Sequence, residues 1–134
     1  MDAKKLLMEV VTKEGIITKE LVAVTIGESI YVDLTPHAID IVVSDNDVVS
    51  IPPSGLICRR DEVITPLEPL DGIPLTKVSY GDVYDIPKEI KGIKLIVSRM
   101  IKDALPDRND LLVPGMLVRD KEGRILGCGS LSLT

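Results

Sequence analysis

The sequence predicts a mostly β protein of the α+β class, an antiparallel meander or sandwich-like sheet with one short helix near residues 99–105. Three observations carry this. The 134 residues are 45% hydrophobic, yet they include three Tyr, no Phe and no Trp. The core must therefore be Ile, Val and Leu, and β-branched residues favour strands. Short apolar runs alternate with turn residues from residue 30 onward, the spacing of a β meander. In the second half only Met100, Ile101, Ala104 and Leu105 recur at i, i+1, i+4, i+5, an amphipathic helical face about two turns long.

The N-terminal segment admits two readings. Leu6, Leu7, Val10 and Val11 fit a helix face with Asp2 as cap and Gly15 as stop. The same residues fit a hairpin, Leu7 to Val11 and Ile16 onward, around Thr12-Lys-Glu-Gly15. Residues 15–29 also resemble the first half of a helix-turn-helix. Val22, Val24, Thr25 and Ile26 disfavour that, and no basic recognition helix follows.

Strands are expected at Ile30–Leu34, Ala38–Val43, Val48–Ile51 and Leu56–Arg60, separated by turns at Thr35–His37, Ser44–Asp47 and Pro52–Gly55. Residues 61–75 hold Pro66, Pro69, Asp71-Gly72 and Pro74 and suggest an irregular edge. Leu75–Tyr80 alternates as a strand, and Gly81–Gly92 suggests a loop. Lys94–Val97 is a further strand. Ser98 is placed to cap the helix, and Pro106 ends it at Leu105. Leu117–Arg119 and Arg124–Leu126 then flank Asp120-Lys-Glu-Gly123, a four-residue hairpin turn.

Composition excludes several functions. The net charge of −5 argues against DNA and against an anionic membrane surface as partners. No apolar run reaches the roughly 18 residues of a membrane span. Lys4-Lys5 precedes too short an apolar run for a signal peptide. Cys58 and Cys128 lack metal-ligand spacing and suit small buried thiols of a cytoplasmic protein. No H-x-E, C-x-x-C, G-x-S-x-G or P-loop pattern occurs. We therefore expect no catalytic residues, no metal and no cofactor, and prefer a binding protein to an enzyme. His37, the single histidine, lies in a Thr-Pro-His turn that suits a structural role.

The arginines are unevenly placed: Arg59, Arg60, Arg99, Arg108, Arg119 and Arg124 all follow residue 58. Arginine suits bidentate recognition of phosphate. A helix starting after Ser98 offers free N–H groups, with Arg99 on its first turn. Arg119 and Arg124 flank a hairpin only a loop away, and Arg59 or Arg60 could share the sheet. Tyr80, then Tyr84 and Tyr31, are the rings on which a base could stack. Asp120 could accept from a base amine or a ribose hydroxyl. These residues (Arg59, Arg60, Tyr80, Ser98, Arg99, Arg119, Asp120, Arg124) form the expected site for a small anionic nucleotide-derived ligand. A site with few residues per chain gains burial between subunits, which favours a homo-oligomer.

Tyr31-Val-Asp-Leu-Thr-Pro-His37, Ile51-Pro-Pro-Ser-Gly55, Arg108-x-Asp-Leu-Leu-Val-Pro114 and Val118-Arg-Asp-x-x-Gly-Arg-Ile-x-Gly-Cys128 together resemble a family of small proteins of bacteriophages and prophages. The likeness runs from about Ile30 to Leu131. It divides the chain into an N-terminal extension, residues 1–29, and a β-rich ligand-binding domain, residues 30–134. It implies a counter-defence sponge acting in the host cytoplasm, like those that sequester the cyclic ADP-ribose signal of the Thoeris system. The competing classes are a structural or adaptor protein of the phage particle and a small nucleotide-cleaving enzyme.

Overall fold

The computed structural model describes residues 2–134. The chain forms β1 (Asp2–Thr12), β2 (Gly15–Ile26), β3 (Ser29–Asp33), β4 (Ile39–Ser44), β5 (Asp47–Ile51), β6 (Arg59–Leu70), β7 (Ile73–Tyr84), β8 (Ile86–Pro87), β9 (Ile93–Ile96), α1 (Arg99–Ala104), β10 (Leu111–Arg119) and β11 (Ile125–Ser132). Nine strands form one sheet in the order β5-β4-β11-β10-β9-β3-β2-β1-β8, and β6 and β7 pair only with each other.

The mostly β class and the helix after Ser98 match expectation; the N-terminal helix does not occur. β1 and β2 are a full-length hairpin pairing Asp2 with Thr25 through Thr12 with Gly15. The turn is held by Thr12, whose hydroxyl lies 2.6 Å from Gly15 O and accepts from Glu14 N. Strand geometry wins because Val10, Val11, Thr12, Ile16, Ile17 and Thr18 are β-branched around a glycine at φ 132°. Alternation then buries Met8 and Val10 and leaves Leu7 68% exposed.

The antiparallel meander is only part of the picture. β3 pairs parallel with β9, β9 with β10, and β11 with β4. Between β3 and β9 the chain lays down β4 and β5 at one end of the sheet, the separate β6–β7 hairpin and β8 at the other end, so neighbours in space are distant in sequence. Two apolar clusters occupy opposite faces, as strand alternation requires. Leu21, Ala23, Val32, Leu95, Leu111 and Val113 meet Leu34, Leu56 and Ile101 on one face. Val24 and Ile96 meet Ile51, Ile39, Ile41 and Tyr31 on the other. The second cluster is enclosed because the sheet curls. Pro53, just after β5, bridges Asp33 of β3, and Ser54 N donates to Asp33 O at 2.9 Å.

The largest departure lies at residues 61–75, where an irregular edge was expected. β6 and β7 continue as a long hairpin instead, and every residue from Glu62 to Asp82 is exposed. The turn is Asp71-Gly72, both with positive φ (53° and 78°), the geometry that suits a two-residue hairpin connection. Pro66, Pro69 and Pro74 are tolerated because each strand has one free edge that needs no donor. The expected 81–92 loop is likewise shortened by the end of β7 and by β8.

α1 has six residues and buries Ile101 and Lys102, while Met100 is exposed, so its inner face is turned by one residue from the expected one. Lys102 Nζ donates to Arg108 O at 2.7 Å, tying the following loop to the helix. Cys58 and Cys128 are free thiols, and burial pushes the Cys58 thiol up to about 12. Among the described residues no helix is long and apolar enough to cross a membrane.

Candidate functional site

The eight residues expected to bind a ligand fall into two groups. At the base of the β6–β7 arm, Arg60 donates from Nε to Gly81 O at 3.1 Å and from Nη1 to Met100 O at 3.2 Å. Its guanidinium also lies 5.1 Å from the Tyr80 ring centroid. Arg60 thereby joins the arm to α1. Arg59 beside it is exposed and makes no side-chain bond among the described residues, its backbone pairing with Tyr84. Arg99 donates to Thr134 O at 3.1 Å. Ser98 is the N-cap residue, but its hydroxyl makes no capping bond, and six residues of helix give little dipole.

The second group closes on itself in the β10–β11 turn. Asp120 Oδ1 accepts from Glu122 N and Arg124 N, and Oδ2 accepts from Arg124 Nε at 3.0 Å. Arg124 also reaches Glu122, and Arg119 donates to Gly123 O at 2.7 Å. Gly123 has φ 82°, the left-handed conformation anticipated for this turn. The turn is six residues along β10 from Val113, which pairs with Ser132 near the Arg99 contact. At strand rise that is about 20 Å. The two groups thus belong to different parts of the surface.

A cleft of about 560 Å³ opens instead where the β1–β2 turn meets the base of the arm and the loop after α1. Thr12, Lys13, Asp61, Asp82, Tyr84 and Arg108 supply its polar and aromatic lining, and Val11, Val83, Ile86 and Leu105 its apolar wall. The size lies in the range of small-molecule sites. A register shift between Arg60 and Glu62 aims Asp61 into it. Gly81 lies close opposite, where a Cβ would come within a tight 3.1 Å of Asp61 Cβ. Lys13 Nζ sits 2.7 Å from Asp61 Oδ1 and 4.4 Å from the Tyr84 centroid. The hydrogen bond to Asp61 holds its ammonium above the ordinary lysine range.

Arg108 is positioned more rigidly. It grips the buried Asp110 through Nε (3.0 Å) and Nη2 (2.6 Å), and Nη2 also donates to Pro87 O at 3.1 Å. The cleft can therefore present a fixed guanidinium, a mobile ammonium, a ring and two carboxylates. Of these, sequence alone had singled out Tyr84 as a ring and Arg108 only as one of six arginines. Lys13, Asp61 and Asp82 carry no local signature. The Arg108-x-Asp110 spacing was the one available hint of a bidentate pair.

The Leu-Thr-Pro-His segment has a structural basis. Asp33 accepts Thr35 N at 2.8 Å and the Thr35 hydroxyl at 2.6 Å on Oδ1, an Asx turn that reverses the chain after β3. His37 itself is exposed, and its carbonyl lies 2.9 Å from the Thr35 hydroxyl. Asp33 is fully buried, and Oδ2 has no hydrogen-bond partner among the described residues. Burial pushes its carboxyl up to about 6, against the Thr35 hydrogen bonds. The folded chain thus holds this proton more tightly than the unfolded chain. The resulting stability is complete below pH about 4 and is lost as the pH rises through about 6, a change of about 3 kcal/mol. Denaturant titrations at pH 4 to 7 are expected to show that loss, and Asp33→Asn is expected to remove it. An identical pH slope in both proteins would exclude Asp33 as its source.

No protein-family model, curated protein or solved structure matches the chain.

Proposed function

We propose that this protein binds a small nucleotide-derived anion without turning it over. The cleft is the observation that carries the reading. It combines a nucleotide-sized volume with a ring, two cationic side chains and carboxylates able to accept from a ribose hydroxyl or a base amine. In this reading the ligand stacks on Tyr84, Lys13 exchanges Asp61 for a phosphate, and Arg108 donates from the nitrogen it does not use on Asp110. Arg60, Tyr80 and Arg99 hold the arm and the C-terminus around the site rather than touching the ligand. The likeness of residues 30–131 to phage proteins supports a cyclic ADP-ribose isomer or a cyclic oligonucleotide as ligand. The physiological role would then be a cytoplasmic sponge for an immune signal, assembled from several copies.

The test is to mix the protein with cyclic ADP-ribose isomers and cyclic oligonucleotides, isolate the complex and release the ligand by heat. Intact ligand is the expected product; cleaved ligand would mean an enzyme. Tyr84→Ala is expected to weaken binding roughly fivefold to a hundredfold, the worth of about 1–3 kcal/mol of stacking. Lys13→Ala is expected to weaken it and to flatten its salt dependence, both read by calorimetric titration. Wild-type affinity in both variants would remove the cleft as the site. The exposed arm favours a second reading, a structural or adaptor protein of the phage particle, which binding of none of these nucleotides would support.

A further inference from the structure

The β6–β7 arm is the least explained part of the molecule. From Glu62 to Asp82 both its faces are exposed, and they carry Val63, Ile64, Leu67, Ile73, Leu75 and Val78. A lone two-stranded hairpin is marginal in water, and contiguous exposed apolar surface marks a contact site. Prolines at 66, 69 and 74 disfavour addition of another strand to its edges, so contact falls to its faces.

A second apolar surface on the same chain has matching properties. Met116, Leu117, Ile125 and Leu126 at the end of the β10–β11 hairpin are each at least half exposed. Beside them an open depression of about 270 Å³ lies between this hairpin and Ala38–Asp40, large enough for apolar side chains. The charges are complementary. The arm between Glu62 and Tyr80 carries Glu62, Glu68 and Asp71 against Lys77, a net −2. The hairpin end from Met116 to Leu126 carries Arg119, Lys121 and Arg124 against Asp120 and Glu122, a net +1.

We propose that the β6–β7 arm docks on the β10–β11 hairpin end of a second copy of this chain, reciprocally, so that each copy gives an arm and receives one. The arm extends roughly 25–30 Å, and a two-stranded face about 10 Å wide presents some 250–300 Å². One arm face and one receiving face per chain give roughly 500–600 Å² before side-chain relief, approaching the ~800 Å² per partner of a standard interface. This deepens the assembly half of the proposed function and is independent of its ligand half.

The experiment is light scattering on the ligand-free full chain at tens of micromolar, so failure of the arm contact and failure of ligand binding are separately visible. The wild type is expected at a multiple of the 14.6 kDa chain mass. Glu62→Lys with Glu68→Lys is expected to weaken association tenfold or more while circular dichroism keeps the cooperative melt. Adding Arg119→Glu and Lys121→Glu to those two changes is expected to restore the wild-type mass. Leu67→Ser, with no change of charge, is expected to weaken association as well. A wild type that is monomeric, a mass unmoved by the arm variants, or a quadruple variant that stays dissociated each overturns the proposal.

Discussion

A chain lacking residues 1–28 is expected not to fold cooperatively. The segment contributes two of the nine sheet strands, and it buries Met8, Val10, Leu21 and Val24. Each of these side chains is worth about 1.5–3 kcal/mol when fully buried, about 6–12 kcal/mol together. A domain of this kind is stable by only about 5–15 kcal/mol in total. The deletion also strips β3 of one of its two strand neighbours and β8 of its partner, and removes the Val22 N to Ser54 O bond that holds the loop after β5. Circular dichroism and a urea titration of the shortened chain are the measurement. A sharp unfolding transition near that of the full chain would show that residues 29–134 hold the core alone.

Asp110→Ala is expected to destabilise the protein by about 3 kcal/mol, at the lower end for breaking a buried ion pair. Asp110 is 4% exposed and satisfies Arg108 through two parallel bonds. Without it, the partly buried guanidinium keeps only Pro87 O as partner. The loop from Pro106 to Asp110 would keep Lys102 Nζ and the backbone bonds of Arg108 and Asp110, so the loss is local to the guanidinium. A fall in Tm of about 10 °C is the corresponding signal. Asp110→Asn preserves the shape and one acceptor, so it is expected to lose distinctly less. Equal losses in the two variants would show that the carboxylate charge alone, and not the shape and acceptor that Asn keeps, is what Asp110 contributes.

What was legible in the sequence was local. The Asp120–Gly123 turn, the stop at Pro106 and the strands at Ile30, Ile39 and Ile93 each follow from a few adjacent residues whose backbone preferences agree. The arm was missed because three prolines outweighed Asp71-Gly72, although Asp-Gly between apolar residues is a strong hairpin signal. Proline is costly only where its N–H would have been used, and no sequence window reveals that β6 has a free edge. The parallel pairings were invisible for a similar reason, since nothing near Ile30 indicates that Ile93 will lie beside it. The cleft draws on residues 11–13, 61, 82–84, 86, 105 and 108. Its members are ordinary surface types individually and become a site only through long-range closure of the fold. The arginine count, by contrast, directed attention to the β10–β11 turn, where Asp120 and Glu122 already occupy the charges.

The parallel pairing of β3 with β9 has a kinetic side. Ile30 cannot meet Ile93 until about sixty intervening residues have been made and brought round, and closing such a loop costs entropy before any contact rewards it. During synthesis β1, β2 and β3 can zip up one after another as each emerges, but they do so as a three-stranded ribbon with one greasy flank bare. Only the arrival of Ile93–Ile96, with Leu111 and Val113 close behind, covers Val32 and seals the interior. The nascent chain is thus most prone to sticking to its neighbours late in its production, and its final third acts as the latch.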